Sequence, residues 1–135
     1  MINHIQTILT NDATVNGLAT NGIWLEQPPQ GKAPPYLVLG SVDGNPTDSK
    51  TSTSKMDVLI ISVFAYGTVL YTKAGNTGAV TMLEAVRNAL DGYDDTISGQ
   101  KMYIRLLKTT DTDDISIPNK PLVSADQEYE IYATI

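Results

Sequence analysis

The chain contains no cysteine, and its 135 residues include one histidine, one tryptophan and one phenylalanine. Without thiols it forms neither disulfides nor thiolate metal sites, and cysteine-based catalysis is excluded. The sequence also lacks the phosphate-binding patterns G-x-x-x-x-G-K and G-x-G-x-x-G, and it has no serine in a G-x-S-x-G context. His4 is the remaining candidate general base, but no partner residue is evident for it. We therefore predict a protein that is not an enzyme and needs no cofactor.

Basic residues are scarce as well: 9 Lys and Arg stand against 15 Asp and Glu, which gives a formal net charge of -6 and a pI of about 4.5. Binding to nucleic-acid phosphates depends on clustered Lys and Arg, so this balance disfavours a protein that grips nucleic acid. It permits a surface past which DNA moves without binding. No apolar run approaches the ~20 residues of a membrane-spanning helix. Residues 1–15 show no secretory pattern, and we expect synthesis in the cytoplasm without a membrane partner.

The longest apolar run, residues 56–66, organises the rest of the chain. It is rich in the β-branched and aromatic residues that favour strands. Side chains on a strand alternate between its two faces. One face carries Val58, Ile60, Ser62, Phe64 and Tyr66, and the other carries Leu59, Ile61, Val63 and Ala65. Both faces are largely apolar, which predicts a central strand covered on both sides.

Apolar residues at helical spacing predict two helices. The first begins near residue 2 and ends or bends at residues 11–12. The second spans 78–91, with Asn76 or Thr77 as its N-cap and Gly92 just past its end.

Short apolar or alternating segments predict further strands at 23–25, 36–39, 101–107 and 127–135, with a turn at 93–95. The last segment ends the chain, and we expect it to leave a free sheet edge. This order of elements predicts an α+β fold with a mostly antiparallel mixed sheet and two helices packed on it. A chain of this length fits a single domain, residues 1–135.

A nearly all-polar segment at 41–55 is the longest predicted loop. Such loops usually bind something or stay disordered, so we predict either a flexible hairpin tip or a segment that orders against a partner subunit. Tyrosine suits surfaces with one dry and one wet side, although packing at the core edge explains the tyrosines equally well. The resulting interface candidates are Asp48, Ser49, Lys50, Thr51, Ser52, Tyr71 and Tyr132.

Three acids close together, Asp111, Asp113 and Asp114, predict an exposed acidic loop. Hard cations such as calcium bind clustered carboxylates, but this segment lacks the turn glycine and terminal glutamate of the EF-hand pattern. We therefore predict a solvated loop and no metal site.

The order of the elements resembles that of the tail-completion and tail-terminator proteins of long-tailed bacteriophages. The similarity rests on residues 35–38 after a proline-rich loop, on the strand at 57–65 after a polar loop, and on residues 86–92 at the end of the second helix. It covers nearly the whole chain. The chain departs from the pattern in the length of its Ser/Thr loop and in an insertion at 116–124.

The resemblance implies a structural virion protein that forms a homo-oligomeric ring, typically a hexamer, at the head-proximal end of the tail tube. Such a ring ends tube polymerisation and joins the tail to the head. Its implied partners are the tail tube protein and the head-completion or connector proteins, while DNA passes through the lumen without specific binding. The acids Asp111, Asp113 and Asp114 are then candidates to face the lumen.

Two alternatives remain open. One is a different virion piece, such as a head–tail adaptor or a minor tail protein, because related folds recur along phage tails and a fold does not fix a function. The other alternative is a small-molecule-binding α+β domain with a cavity between sheet and helices. Such a cavity needs convergent polar groups, and only Ser62 is placed to contribute one.

Overall fold

A computed structural model gives the chain three helices and seven strands. In chain order they are α1 (Ile2–Asn11), α2 (Ala13–Leu18), β1 (Ile23–Leu25), β2 (Tyr36–Asp43), β3 (Met56–Gly67), α3 (Ala79–Leu90), β4 (Asp94–Ile97), β5 (Gln100–Lys108), β6 (Thr112–Ile117) and β7 (Lys120–Thr134). The structure describes residues 2–28, 30–43, 56–73, 75–97, 99–108, 112–117 and 120–134. At 42, 43, 56, 57, 112–117, 120, 121 and 134 it describes the backbone alone.

The strands form one sheet in the order β1-β2-β3-β7-β5-β4, and β6 pairs with β7 beside this path. The pair β1–β2 is parallel, and all other described pairs are antiparallel. The predicted α+β class with a mostly antiparallel mixed sheet is thus confirmed. The structure differs in having a third helix, because the first predicted helix is divided at Asp12.

The prediction of a free edge at the last strand was wrong. β7 pairs with β3 along one side, from Gly67 opposite Val123 to Met56 opposite Thr134. On its other side it pairs with β6 through its first half and with β5 through its second half. The two end strands of the sheet path are β1 and β4.

All three helices pack on one side of the sheet, where they bury the hydrophobic core. The helices contribute Ile5, Leu9, Val15, Met82, Leu83, Val86 and Leu90, and the strands contribute Leu37, Leu39, Ile61, Val63, Ala65, Met102, Ile104, Tyr129, Ile131 and Ala133. Burying a large apolar side chain stabilises a fold by about 1.5–3 kcal/mol, so this layer supplies most of the favourable free energy. No helix of the described residues is long and apolar enough to cross a membrane.

The two faces of β3 are buried to different extents. Ile61, Val63 and Ala65 are fully buried under the helices. The opposite face, with Ile60 and Phe64, is only half-buried. The sequence predicted that other elements cover both faces of this strand. Among the described residues, helices cover one face and leave the other without such a layer.

Asp12 separates α1 from α2 because it serves as the N-cap of the second helix. Its backbone is extended, and its Oδ1 accepts a hydrogen bond from the amide of Val15 at 3.0 Å. An N-terminal amide without a helical partner is thereby satisfied. The chain turns at this point, which places the buried Val15 in the core.

Replacing Asp12 by alanine removes this cap. We expect Asp12→Ala to lower the free energy of unfolding by about 1 kcal/mol, the usual cost of losing an N-cap side chain. Asp12→Asn keeps the acceptor and serves as the matched control, because asparagine caps as well as aspartate. Urea denaturation of the three proteins measures the difference, and equal midpoints for Asp12→Ala and the parent would contradict the assigned cap.

The second predicted helix is present as α3, and Gly92 follows its end with a φ of 82°, as predicted. The N-cap prediction was wrong, because the cap is Gly78 and has no side-chain hydrogen bond. The amides of Ala79 and Val80 instead donate to the carbonyl oxygens of Val69 and Leu70, at 2.9 and 2.8 Å. Backbone groups of the preceding loop thus satisfy the first turn.

Residues 93–95 were predicted as a turn, yet Asp94 begins strand β4, which pairs with β5. Asp94, Asp95 and Thr96 are all exposed, so the strand carries no apolar alternation. Pairing with β5 determines its conformation.

Candidate functional site

The side of the sheet that carries no described helix is a candidate contact surface, and we call it the bare face. Its residues alternate with the core residues along each strand and lie opposite one another in the strand registers. They are Tyr36 and Val38 of β2; Val58, Ile60, Ser62, Phe64 and Tyr66 of β3; Asp126, Glu128, Glu130 and Tyr132 of β7; and Tyr103 and Arg105 of β5.

The β2–β3 half of the bare face is apolar. The rings of Tyr36 and Tyr66 stack with centroids 5.0 Å apart. Burial, and next the neighbouring Tyr66, raises the pKa of Tyr36 above its ordinary value. Val38 lies beside Phe64 and is only 6% exposed, although no described helix covers it. Val58, Ile60, Phe64 and Tyr66 are left half-buried on this half, and apolar side chains that stay partly exposed on one surface are typical of contact sites.

A groove of about 410 Å³ crosses this half of the sheet. It is lined by Glu26, Val38, Gly40, Ser41, Ser62, Phe64 and Tyr66. Ser62, the predicted polar contributor, lies here and is buried. Glu26 was missed; it has a φ of 67°, and its amide donates to the carbonyl oxygen of Leu39 at 2.8 Å. Its side chain is exposed, so the described lining residues do not form the convergent buried polar set of a small-molecule site.

The β7 half of the bare face is acidic, because Asp126, Glu128 and Glu130 occupy successive positions on it. The Arg105 Nη2 atom lies 3.2 Å from Glu130 Oε2, in a cross-strand pair. The hydroxyl of Tyr132 donates to the other oxygen of Glu130. This hydrogen bond, followed by the Arg105 guanidinium, lowers the pKa of Glu130, so the carboxylate stays charged.

Tyr132, a predicted interface residue, therefore lies on the bare face. Its ring is 6.3 Å from the ring of Tyr103, which lies opposite it on β5 and is 42% exposed. The hydrogen bond to Glu130 raises the pKa of Tyr132. Tyr103 was missed, although its outward position in an alternating strand was a usable signal.

Tyr71, the other described interface candidate, lies on a separate surface, which we call the Tyr71 loop (residues 68–73 and 75–78). Its side chain is 63% exposed, and the neighbouring Leu70 is 37% exposed. The loop follows the carboxyl end of β3, whereas Tyr132 is paired with Val58 near the other end of that strand. The structure does not bring the two tyrosines together.

The Tyr71 loop is held by its own hydrogen bonds. The amide of Thr72 donates to Thr81 Oγ1 at 3.0 Å, and the amide of Gly78 donates to Thr72 Oγ1 at 3.1 Å. Lys73 and Asn76 exchange backbone hydrogen bonds of 3.1 and 2.9 Å. An exposed tyrosine is thus carried on an ordered support.

A second groove, which we call the α1–α3 groove, has a volume of about 470 Å³. It is lined by Thr7, Ile8, Asn11, Asp12, Ala89, Tyr93, Thr96 and Ile97. These residues come from the end of α1, the end of α3 and the exposed strand β4. Sequence reasoning missed this groove, because its lining joins three segments that are distant along the chain.

The other predicted site residues are placed as follows. Asp48, Ser49, Lys50, Thr51, Ser52 and Asp111 lie outside the described residues. Asp113 and Asp114 belong to strand β6, opposite Ser124 and Val123 of β7, so the prediction of a loop at these two positions was wrong. Pairing with β7 extends the backbone there.

Chemistry-bearing clusters are not evident in the described part of the chain. No group of three or more His, Asp or Glu side chains there is arranged to hold a metal ion. His4 has a buried Nδ1 atom without a hydrogen-bond partner.

Comparison with known proteins shows similarity to a protein family and to solved structures. Residues 3–134 match the family model described as Tail completion protein gp17. The fold is similar to that of a chain in a structure titled "Virion of native gene transfer agent (GTA) particle", with a TM-score of 0.68 and 20% sequence identity. That alignment covers 97% of this chain and 92% of the other, and at this identity it shows a shared fold. No curated protein sequence matches.

Proposed function

Because the chain belongs to the tail completion protein gp17 family, we propose that it forms a ring at the head-proximal end of a phage tail tube, where it ends tube polymerisation and joins the tail to the head. The family match confirms the resemblance predicted from the element order. The chain is accordingly a structural tail protein of a phage-like virion.

The observation that carries the proposal, beyond the family, is the bare face. A single chain leaves Val58, Ile60, Phe64 and Tyr66 half-buried on one side of the sheet, without a described helix over them. Apolar patches of this kind on soluble chains mark protein contacts. A structural protein that assembles with other virion proteins needs such a surface.

A ring requires head-to-tail contacts that close, in which each subunit offers two different surfaces. The last strand cannot add a neighbour by sheet extension, since both its edges are paired. The Tyr71 loop and the α1–α3 groove are two distinct surfaces that meet the requirement. A hexamer remains our expectation for the number of subunits, together with contacts from residues 48–52.

Passage of DNA through the lumen fits the charge of the chain. A net charge of -6 disfavours DNA binding, because like charges repel and no counterions are released. We retain Asp111, Asp113 and Asp114 as candidate lumen residues. The tail tube protein and the head-completion or connector proteins are the proposed partners at the two faces of the ring.

Loss of the protein from infected cells tests the proposal and separates it from the adaptor alternative. We expect tail tubes that exceed their normal length and do not attach to heads. A head–tail adaptor predicts tubes of normal length that fail to join heads. A minor tail protein at the distal end predicts heads with attached but defective tails. Electron microscopy of lysates measures tube length and attachment, and tubes of normal length would contradict the terminating role.

A charge placed on the bare face tests whether it is a contact surface. We expect Phe64→Lys to abolish incorporation into particles while the monomer stays folded, because Asp126 lies opposite and accommodates the new cation. Asn88→Lys adds the same charge on an exposed position of α3 and is the matched control. Quantitative mass spectrometry of purified particles measures the copies of each variant. Equal incorporation of both variants would show that the bare face is not a contact surface.

A further inference from the structure

The Tyr71 loop and the α1–α3 groove lie at opposite ends of α3. The loop leads directly into Ala79, the first residue of the helix, whereas Ala89 and Tyr93, at and just after its end, line the groove. A helix of this length spans about 18 Å at 1.5 Å per residue. One chain therefore presents an exposed apolar projection at one end of α3 and, at the other, a recess lined by both apolar and polar residues.

The projection carries exposed apolar side chains on an ordered backbone. Leu70 and Tyr71 are exposed side by side, and hydrogen bonds from Thr72, Ala79 and Val80 fix the backbone that carries them. An anchor whose backbone is already ordered loses little conformational entropy on binding. Tyrosine is among the residues that most often dominate interface energetics.

The recess has the size and lining for such an anchor. Its volume of about 470 Å³ falls within the range of pockets that hold compact organic groups. Ile8, Ala89 and Ile97 supply apolar walls, and the half-buried Tyr93 supplies an aromatic ring. Offset or edge-to-face packing between two tyrosine rings stabilises a contact by about 0.5–1.5 kcal/mol beyond area burial.

The charges of the two surfaces are complementary. The loop carries the exposed Lys73, and the sequence has no Asp or Glu between residues 67 and 83. Among the groove's lining residues, Asp12 is the charged one, and the exposed Asp94 and Asp95 precede Thr96 on the same strand β4. Such an arrangement favours one orientation of approach and disfavours groove against groove.

We propose that the Tyr71 loop of one subunit inserts into the α1–α3 groove of a second copy of this chain, with Tyr71 against Tyr93 and Lys73 near the acids of β4. Because projection and recess are different surfaces, repeating the contact generates a head-to-tail series, which closes into a ring for a suitable rotation. The proposal rests on the proposed function and names the residues of the subunit contact.

The absence of cysteine allows a direct test by crosslinking. The variant Asn76→Cys/Asn11→Cys places one thiol on the Tyr71 loop and one at the groove, both at exposed positions. Two samples are treated with a short bis-maleimide: the purified variant mixed with tail tubes, and particles that carry the variant. Both should give a ladder of multimers on denaturing gels. The control Asn76→Cys/Tyr103→Cys keeps the loop thiol and moves the second thiol to the bare face; we expect no ladder from it.

A second variant identifies the anchor. Introduced into the crosslinkable chain, Tyr71→Ala should lower the multimer fraction by about tenfold, the effect of losing one buried aromatic anchor. Because Tyr71 is exposed, we expect the variant to fold like the parent, and circular dichroism checks this.

The outcomes separate the contact from the function. Rings seen by microscopy without a ladder from Asn76→Cys/Asn11→Cys would overturn the contact and leave the ring proposal standing. Crosslinking that stops at dimers would overturn the head-to-tail arrangement, because reciprocal insertion closes a two-fold pair. An absence of oligomers with tubes and in particles would overturn both.

Discussion

Gly78→Ala should destabilise the fold by about 2–3 kcal/mol, a large effect for one methyl group. The φ of Gly78 is -84°, which any residue adopts, so the requirement is for space. A Cβ atom there would lie 2.4 Å from the carbonyl carbon of Tyr71 and 2.5 Å from the amide nitrogen of Thr72. Both are backbone atoms, so the loop itself has to move.

The same shift should lengthen the hydrogen bond from the Gly78 amide to Thr72 Oγ1 and loosen the support of Tyr71. Gly17→Ala is the control, because no heavy atom lies within 4 Å of the Cβ position and the residue is inside α2. We expect that change to stabilise the protein by about 0.5–1 kcal/mol. Chemical denaturation of both variants measures the difference. A Gly78→Ala protein as stable as the parent would contradict the close packing of the loop.

Tyr129→Phe should lower the free energy of unfolding by about 2 kcal/mol. Tyr129 is fully buried in the core, and its hydroxyl donates to Gln127 Oε1 at 2.6 Å. Removing the hydroxyl leaves a buried amide oxygen without this partner, which costs more than the bond itself contributes. Because the two residues form one contact, a double-mutant cycle with Gln127→Met should give a coupling free energy of about 1 kcal/mol. A coupling near zero would contradict the bond.

The same residue makes stability sensitive to high pH. Burial, and next the carboxylate of Asp91, raises the pKa of Tyr129 above its ordinary value of 10.0. The folded state therefore keeps the phenol proton while the unfolded state releases it, so the contribution is complete below pH 10 and falls as pH rises above it. The decline should be shallower in Tyr129→Phe, with a residual slope from the other tyrosines whose pKa is raised, Tyr36, Tyr66, Tyr93 and Tyr132. Equal slopes for both proteins between pH 9 and 11 would contradict this assignment.

Strongly patterned elements could be predicted from the sequence. The apolar spacing of α3 and the alternation of Tyr129, Ile131 and Ala133 led to correct predictions of a helix and a strand, because burial on one side imposes both patterns. β4 was missed, since Asp94 and Asp95 are exposed and the strand exists through pairing with β5. The interior position of β7 was missed for a related reason: sequence order does not tell which strands become neighbours.

Local sequence also led to a wrong prediction where backbone carbonyl groups of another segment, and not a side chain, cap a helix. Asn76 and Thr77 are good N-cap residues, but the carbonyl oxygens of Val69 and Leu70 satisfy the first turn of α3. The candidate site shows the same limit. Tyr71 could be selected as an interface candidate from its type alone, whereas the α1–α3 groove depends on segments brought together by the fold.

The central claim, assembly into a closed ring, is tested most directly by the mass of the oligomer. Light scattering over a concentration series, with negative-stain microscopy of the same fractions, should be done on the purified chain and on the chain mixed with tail tubes. The account predicts closed rings of uniform subunit number, in solution or at tube ends. A closed two-fold dimer at every concentration, with bare tube ends, would contradict it, because reciprocal contacts consume the surfaces that a ring requires.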